Sequence, residues 1–407
     1  MTPGARLAAA AEVLAEIFAR KAAADRTLSG WGKAHRFAGS KDRAAIAERV
    51  YACLRRRNEC AFAMDDESPR ALVLGSLALI DALDVERIEA LAIDGTHALG
   101  PLTADERARL QAPRHTKDPW ITLNYPRWLH DEFASAFGAN LEREMAALNT
   151  RAPLDLRVNT LKTDRDAVIA ELTAAGFTAT ARDVPTAIRL ADENAKVTAQ
   201  PAYAEGRIEV QDEASQRAVL FAKATPGDTV IDLAAGAGGK AIALAAAMQN
   251  QGHVIACDID PGRLHHMTPR IVRAGATIVD VLGDPYGLVV TTAKGEGADL
   301  VFVDAPCSGT GTWRRNPESK WTIDPARMAT FRAAQTKLLD RAAELTKPAT
   351  GRIVYAVCSV LPAEGQAQVS AFTARHPAWA VSGSETLTPA RDDTDGFFVA
   401  MLEQTRR

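Results

Sequence analysis

Residues 228–259 read "DTVIDLAAGAGGKAIALAAAMQNQGHVIACDI". Two short apolar runs, "DTVIDLAA" and "HVIACDI", flank a glycine turn and an alanine-rich stretch, "KAIALAAAMQ". Brief apolar runs bounded by turn residues are the mark of buried parallel strands. The stretch therefore predicts strand, tight turn, helix and second strand. The alternation continues downstream. "TIVDVLGD", "ADLVFVDA", "GRIVYAVCS" and "GFFVAML" read as strands. "PGRLHHMTPRIVRAG" (interrupted by a proline), "PARMATFRAAQTKLLDRAAELT" and "AEGQAQVSAFTARH" read as helices. Repeated strand–helix units imply an α/β fold whose mostly parallel sheet is covered on both faces. Ligands in such sheets sit at the carboxyl ends of the strands, near the switch point.

Upstream the pattern changes. "PLDLRVNT" and "AIRLA" predict short strands around the helix "DRDAVIAELTAAG", and "GRIEVQDEASQRAVLFAKA" leads a strand into a helix. The earlier residues carry helical periodicity in "ARLAAAAEVLAEIFARKAAA" and "KDRAAIAERVYACLRRR", and "ALVLGSLALIDAL" predicts a buried helix. The expected division is a helical domain over 1–140, a small α+β unit over 145–215 and the larger α/β domain over 216–407.

Composition narrows the function classes. A net charge of −3 argues against a protein that coats nucleic acid at random, although 48 Lys and Arg leave room for a local basic groove. No apolar run is long enough for a membrane span, and the amino terminus lacks a secretory pattern. Five sparse cysteines without a CxxC pair or His/Cys cluster suggest a reducing, cytoplasmic setting and no metal site. The sequence does not give the oligomeric state; a monomer is the favoured expectation.

Two groups of residues carry chemistry. The first is "VIDLAAGAGGK", in which Asp232 ends a strand and Gly236, Gly238 and Gly239 turn into a helix. Glycines there let backbone N–H groups approach a ligand. The next strand ends at Asp258, about 20 residues beyond the turn, where an acid suits a ribose diol. Asp284, in "GDP" after the third strand, is placed to meet a purine amine or to cap a helix. The second group joins "DAPCSGTGTWRRNPESKW" (304–321) to "YAVCSVLPAEG" (355–365). It sets Asp304, Cys307 and Cys358 at neighbouring strand ends. A thiolate is the soft nucleophile needed to add to an electron-poor double bond. Cys53, Cys60 and Cys257 read as small buried hydrophobes.

Those two cysteine motifs resemble the paired signatures of the RNA cytosine-C5 methyltransferases. The likeness extends to "RVNTL" (157–161), "VQDEASQ" (210–216), "DLAAGAGGK", "ACDIDPGRL" and "DGFFVAMLE", and covers about 145 to 407. Within the family it is strongest for the bacterial Sun or RsmB-type ribosomal-RNA group. "SKDRAAIAERVYACLRR" (40–56) is similar to the NusB-like domain of that group. Ala234 and Ala237 stand where the family carries Cys and Pro, and Gly365 where it carries Asn.

The resemblance implies a class I, Rossmann-like methyltransferase domain with a mostly parallel seven-stranded sheet. A small α+β unit and an all-α NusB-like domain precede it. It implies S-adenosyl-L-methionine held by Ala234, Ala235, Gly236, Ala237, Gly238, Gly239 and Lys240 with Asp258, Asp284 and Asp304. The substrate implied is RNA, with ribosomal RNA preferred, and the product 5-methylcytosine. By the same resemblance Cys358 attacks cytosine C6 and Cys307 assists release. The chemistry of the attack places Asp304 to meet the electron density that ring N3 gains, and Lys240 contacts the base or opens a solvent-facing helix. Arg314, Arg315 and Lys320 are candidate phosphate contacts, as are Arg55, Arg56 and Arg57 beside the ordinary reading of a solvated charged face. Two other readings stay open: a nicotinamide-dependent oxidoreductase, which leaves both cysteines idle, and an RNA-binding ribosome-assembly protein with a decayed cofactor loop, to which Ala234 and Ala237 would point.

Overall fold

The computed structural model describes residues 1–283, 291–292, 295–405 and falls into two compact units. Met1–Arg151 and Thr312–Asp324 form one unit; Ala152–Gly311 and Pro325–Arg407 form the other.

The first unit is helical throughout its described residues. Thr2 caps its opening helix, Pro3–Arg20, by accepting from the Ala5 N–H at 3.2 Å, and Pro3 takes a first-turn position where no amide is needed. Leu7, Ala10, Val13, Leu14 and Ile17 line the buried face at helical spacing. In the helix Pro69–Leu79 every residue from Ala71 to Leu77 is buried, as its unbroken apolar text requires. The sequence places Thr312–Asp324 in the 216–407 domain, but the segment packs among these helices. Trp313 is fully buried with its ring edge-on to Phe133, and the Trp321 indole donates to Leu54 O at 2.7 Å. These large aromatic surfaces need an apolar bed, and the helices supply one.

The second unit holds two sheets. The smaller is antiparallel, in the order β2-β3-β1-β4, from β1 (Leu154–Val158), β2 (Ala179–Ala181), β3 (Ala187–Leu190) and β4 (Ile208–Val210). The helix Arg165–Ala174 covers it through Val168 and Leu172, against Leu156, Val158, Ile188 and Ile208. The larger sheet contains β5 (Thr229–Asp232), β6 (His253–Cys257) and β7 (Val279–Leu282). After a two-residue ladder of β8 (Thr291–Thr292) and β9 (Gly295–Glu296) come β10 (Leu300–Asp304), β11 (Arg352–Val357), β12 (Trp379–Leu387) and β13 (Phe397–Gln404). Its order is β12-β13-β11-β10-β5-β6-β7, with only β13 reversed against the common direction.

Apolar layers on both faces explain the continuous apolar text of β5, β10 and β11. One layer combines Val230, Phe302 and Val354 with Ala241, Leu244, Met267 and Ala218. The other combines Ile231, Val301, Val303 and Ile353 with Leu338, Leu339, Val369 and Phe372. The helix Pro261–Ala274 runs on through Pro269, where the sequence predicted an interruption. The sequence gives no sign of strand β12: it is largely exposed, pairs only with β13 and bulges between Val381 and Gly383, so "WAVSGSETL" carries no apolar alternation. Strand order reverses between β5 and β10, and the carboxyl ends there frame the crevice that holds the candidate residues.

Candidate active site

Beyond β5 the chain turns tightly into the helix Gly239–Ala247. Gly236 and Gly238 take φ values of +57° and +81°, which residues with a Cβ seldom adopt. A Cβ on Gly238 would fall 2.4 Å from Met267 Cγ, whereas one on Gly236 would meet nothing within 4 Å. The turn is closed behind Gly238 and open beside Gly236, where a ligand has room. Asp258, just past β6, is nearly buried and staples this turn. Its Oδ2 accepts from the Gly236 N–H at 2.9 Å and its Oδ1 from the Asp260 N–H at 2.8 Å.

The small sheet supports the turn from behind. Arg157 of β1 donates to Gly239 O at 2.5 Å, and Arg270 donates to Ala237 O at 2.7 Å. Glu209 of β4, itself buried, accepts from Arg270 at 2.9 Å and from Arg273. The role of these side chains was not foreseen, although Arg157 and Glu209 lie in or beside the quoted stretches "RVNTL" and "VQDEASQ".

At the end of β5, Asp232 is fully buried and neither carboxylate oxygen has a hydrogen-bond partner. The Ala234 N–H faces it without closing a bond of ordinary geometry. Burial, reinforced by the charge of Asp304, pushes Asp232 up to about 8 against the pull of Lys240. The open glycine turn with the Asp258 carboxylate beside it fits a ligand that carries a ribose.

The second cluster lies at the ends of β10 and β11. Parallel register sets Asp304 opposite Ala356, and the Ala305 N–H donates to Ala356 O at 2.9 Å. The following loops bring Cys307 Sγ and Cys358 Sγ to 3.4 Å, each side chain half-buried. Lys240 Nζ donates to Asp304 Oδ2 at 2.5 Å and lies 5.5 Å above the Phe397 ring. Burial opposes the Lys240 ammonium, yet the Asp304 charge and hydrogen bond, with the Cys358 and Asp232 charges, outweigh it and raise the pKa. The hydrogen bond with Cys358, then burial and the Cys358 and Glu364 charges, raise the Cys307 thiol well above its ordinary value. Cys307 therefore keeps its proton near neutrality.

The structure thus brings Gly236–Lys240, Asp258, Asp304, Cys307 and Cys358 to one end of the sheet. Asp284 lies outside the described residues. Two candidate phosphate contacts are corrected. Lys320 is fully buried, donates to Asn124 O and Asn149 Oδ1, and is pushed down to about 7 by burial and by the charge of Arg55. Arg314 is 3% exposed. Neither offers surface to a phosphate; the text "TWRRNPESKW" reads as basic, but its aromatic residues draw it inward. Arg315 is half-buried. Arg56 and Arg57 pair with Glu59 and Glu67, and Arg55 reaches Arg314 O at 3.4 Å.

A seven-stranded sheet with one reversed strand, a glycine turn at its switch point and an acid at the next strand end define a class I methyltransferase that uses S-adenosylmethionine. The chain belongs to the 16S rRNA methyltransferase RsmB/F family, whose model matches residues 219–403, and a ferredoxin-like domain model of RsmF/B-like methyltransferases matches 125–198. It is 31% identical over 354 residues to a Synechocystis sp. protein named as a probable ribosomal RNA small subunit methyltransferase B, covering 82% of this chain and 79% of that protein. To the ribosomal RNA small subunit methyltransferase B of Salmonella arizonae it is 34% identical over 287 residues, 68% of this chain and 66% of the relative. The crystal structure of PH0851 matches 99% of both chains with a TM-score of 0.81 and 26% identity. The protein is an RNA methyltransferase.

Proposed function

We propose that this enzyme methylates cytosine C5 in RNA of the small ribosomal subunit, through a covalent bond between Cys358 and cytosine C6. The observation that carries the reading is the pair of thiols 3.4 Å apart, set beside the Lys240–Asp304 pair at the strand ends that flank the glycine turn. The relatives' names supply the ribosomal substrate.

S-adenosylmethionine supplies the methyl group. Asp258 offers acceptor positions to its ribose, and the open side of Gly236 admits it. Cytosine C5 is a weak nucleophile, and attack by Cys358 at C6 makes it enamine-like. Ring N3 then gains electron density. Lys240 donates to Asp304 Oδ2, so the pair offers N3 an ammonium proton, a form of help worth roughly 10²–10⁴-fold. The base must leave its stack to reach these groups. After transfer, solvent water takes the C5 proton, the C5–H electron pair re-forms the C5–C6 double bond, and the C6–S pair returns to the Cys358 sulfur. Cys307, still a thiol, stands where a hydrogen bond to the departing sulfur helps it leave.

The test is a denaturing gel with labelled RNA and cofactor. Cys358→Ala should abolish methylation and covalent complex together. Cys307→Ala should attack and transfer but release slowly, and so accumulate a protein–RNA adduct. If Cys358→Ala traps RNA and Cys307→Ala does not, the roles are reversed. If neither traps RNA and both remain active, the thiols are structural.

A further inference from the structure

We propose that Glu364 is the positioning residue of this site: it ties together the two loops that carry the thiols and so sets their separation. The proposal rests on the reading of Cys307 and Cys358 as the reacting pair. Glu364 is fully buried. Its Oε1 accepts from the Ser308 N–H at 2.9 Å and from Gln335 Nε2 at 3.2 Å. Its Oε2 accepts from Ser359 Oγ at 2.6 Å and from Ser308 Oγ. Ser308 follows Cys307 and Ser359 follows Cys358, so one carboxylate grips the immediate neighbour of each thiol.

The surrounding bonds reinforce that grip. Thr310 Oγ1 and Ser359 Oγ are 3.0 Å apart, and the Val360 and Leu361 N–H groups donate to them at 3.1 and 3.2 Å. Gln335 also donates to Pro306 O at 3.0 Å, and Tyr355 OH donates to Glu364 O at 2.6 Å. No cation pairs with Glu364 among the described residues. A carboxyl group offers two acceptor oxygens, and this one takes four donors from two loops and a helix at once. An amide has one acceptor oxygen and two N–H groups that would face the serine hydroxyls.

The experiment reads the thiol separation directly, in the full-length protein. Diamide joins two adjacent thiols in a disulfide as the two S–H hydrogens pass to its azo bond. Cys53, Cys60 and Cys257 are fully buried and do not compete. Wild type should close the Cys307–Cys358 disulfide readily, seen by mass after alkylation. Glu364→Ala should close it at least about tenfold more slowly, and Glu364→Gln at an intermediate rate. Both should bind S-adenosylmethionine as wild type does, and methylation should fall in kcat with KM for RNA unchanged. Closure at the wild-type rate in folded Glu364→Gln or Glu364→Ala, or no closure in wild type, overturns the proposal. Slowed closure in these variants, with methylation indifferent to loss of either cysteine, would uphold the positioning role and sink the catalytic reading instead.

Discussion

Asp258 holds the Gly236 N–H, and the proposed function gives it a second task, as acceptor for the cofactor's ribose. A hydrogen bond to a charged group is worth roughly 1.5–3 kcal/mol, and each 1.4 kcal/mol is about tenfold in affinity. Asp258→Ala should therefore raise the dissociation constant for S-adenosylmethionine about tenfold or more by calorimetry. An unchanged constant would remove Asp258 from the site. Asp232 gives a pH signature. Its carboxyl moves from 3.8 to about 8 on folding, so the native state binds the proton more tightly than the unfolded one. Its stabilising contribution is present below 3.8 and is lost as pH rises through about 8. Against pH, Asp232→Asn should lose less thermal stability over that interval than wild type; parallel profiles would contradict the burial argument. The thiols and Asp304 were legible in sequence because their chemistry is unusual at strand ends. Glu364 and Asp232 were not, because an acid in a loop reads the same whether it faces water or four donors. Lys320 was misread for the complementary reason: its burial depends on Asn124, Asn149 and Trp313, remote in sequence.

Among the elements, the four-stranded sheet does more than precede the larger one. Through Arg157 and through Glu209 with Arg270 it fixes the Gly239 and Ala237 carbonyls, and with them the shape of the glycine turn. Arg270→Ala should weaken cofactor binding severalfold while leaving the diamide reaction of the cysteine pair unchanged. An equal effect on both would mean general loosening of the fold. The central strands were readable since layers on both faces demand unbroken apolar text. Strand β12 was not, since an exposed edge held by backbone bonds to β13 imposes little on its side chains. Proline misled in the opposite direction: packing of Met267 and Ile271 carries the helix across Pro269 despite the missing amide.

For the molecule as a whole, the chain leaves the second unit at Gly311, four residues after Cys307, and returns at Pro325. Between them Thr312–Asp324 completes the helical unit. Removing 1–151 would strip Trp313, Lys320 and Trp321 of their partners, so that truncation should lower the melting temperature and bind hydrophobic dye. A truncation that also replaces 312–324 with a short linker should not bind the dye. Equal dye binding by the two would show that the segment needs no helical bed. The central claim, that the methyl group goes to cytosine C5 by way of a Cys358 adduct, is tested most directly with RNA carrying tritium at C5 of cytosine. Methylation there must expel the label into water. The wild-type enzyme should release one tritium for each methyl group transferred, and Cys358→Ala should release none. Methyl transfer without tritium release would place the methyl group on another atom and contradict the account.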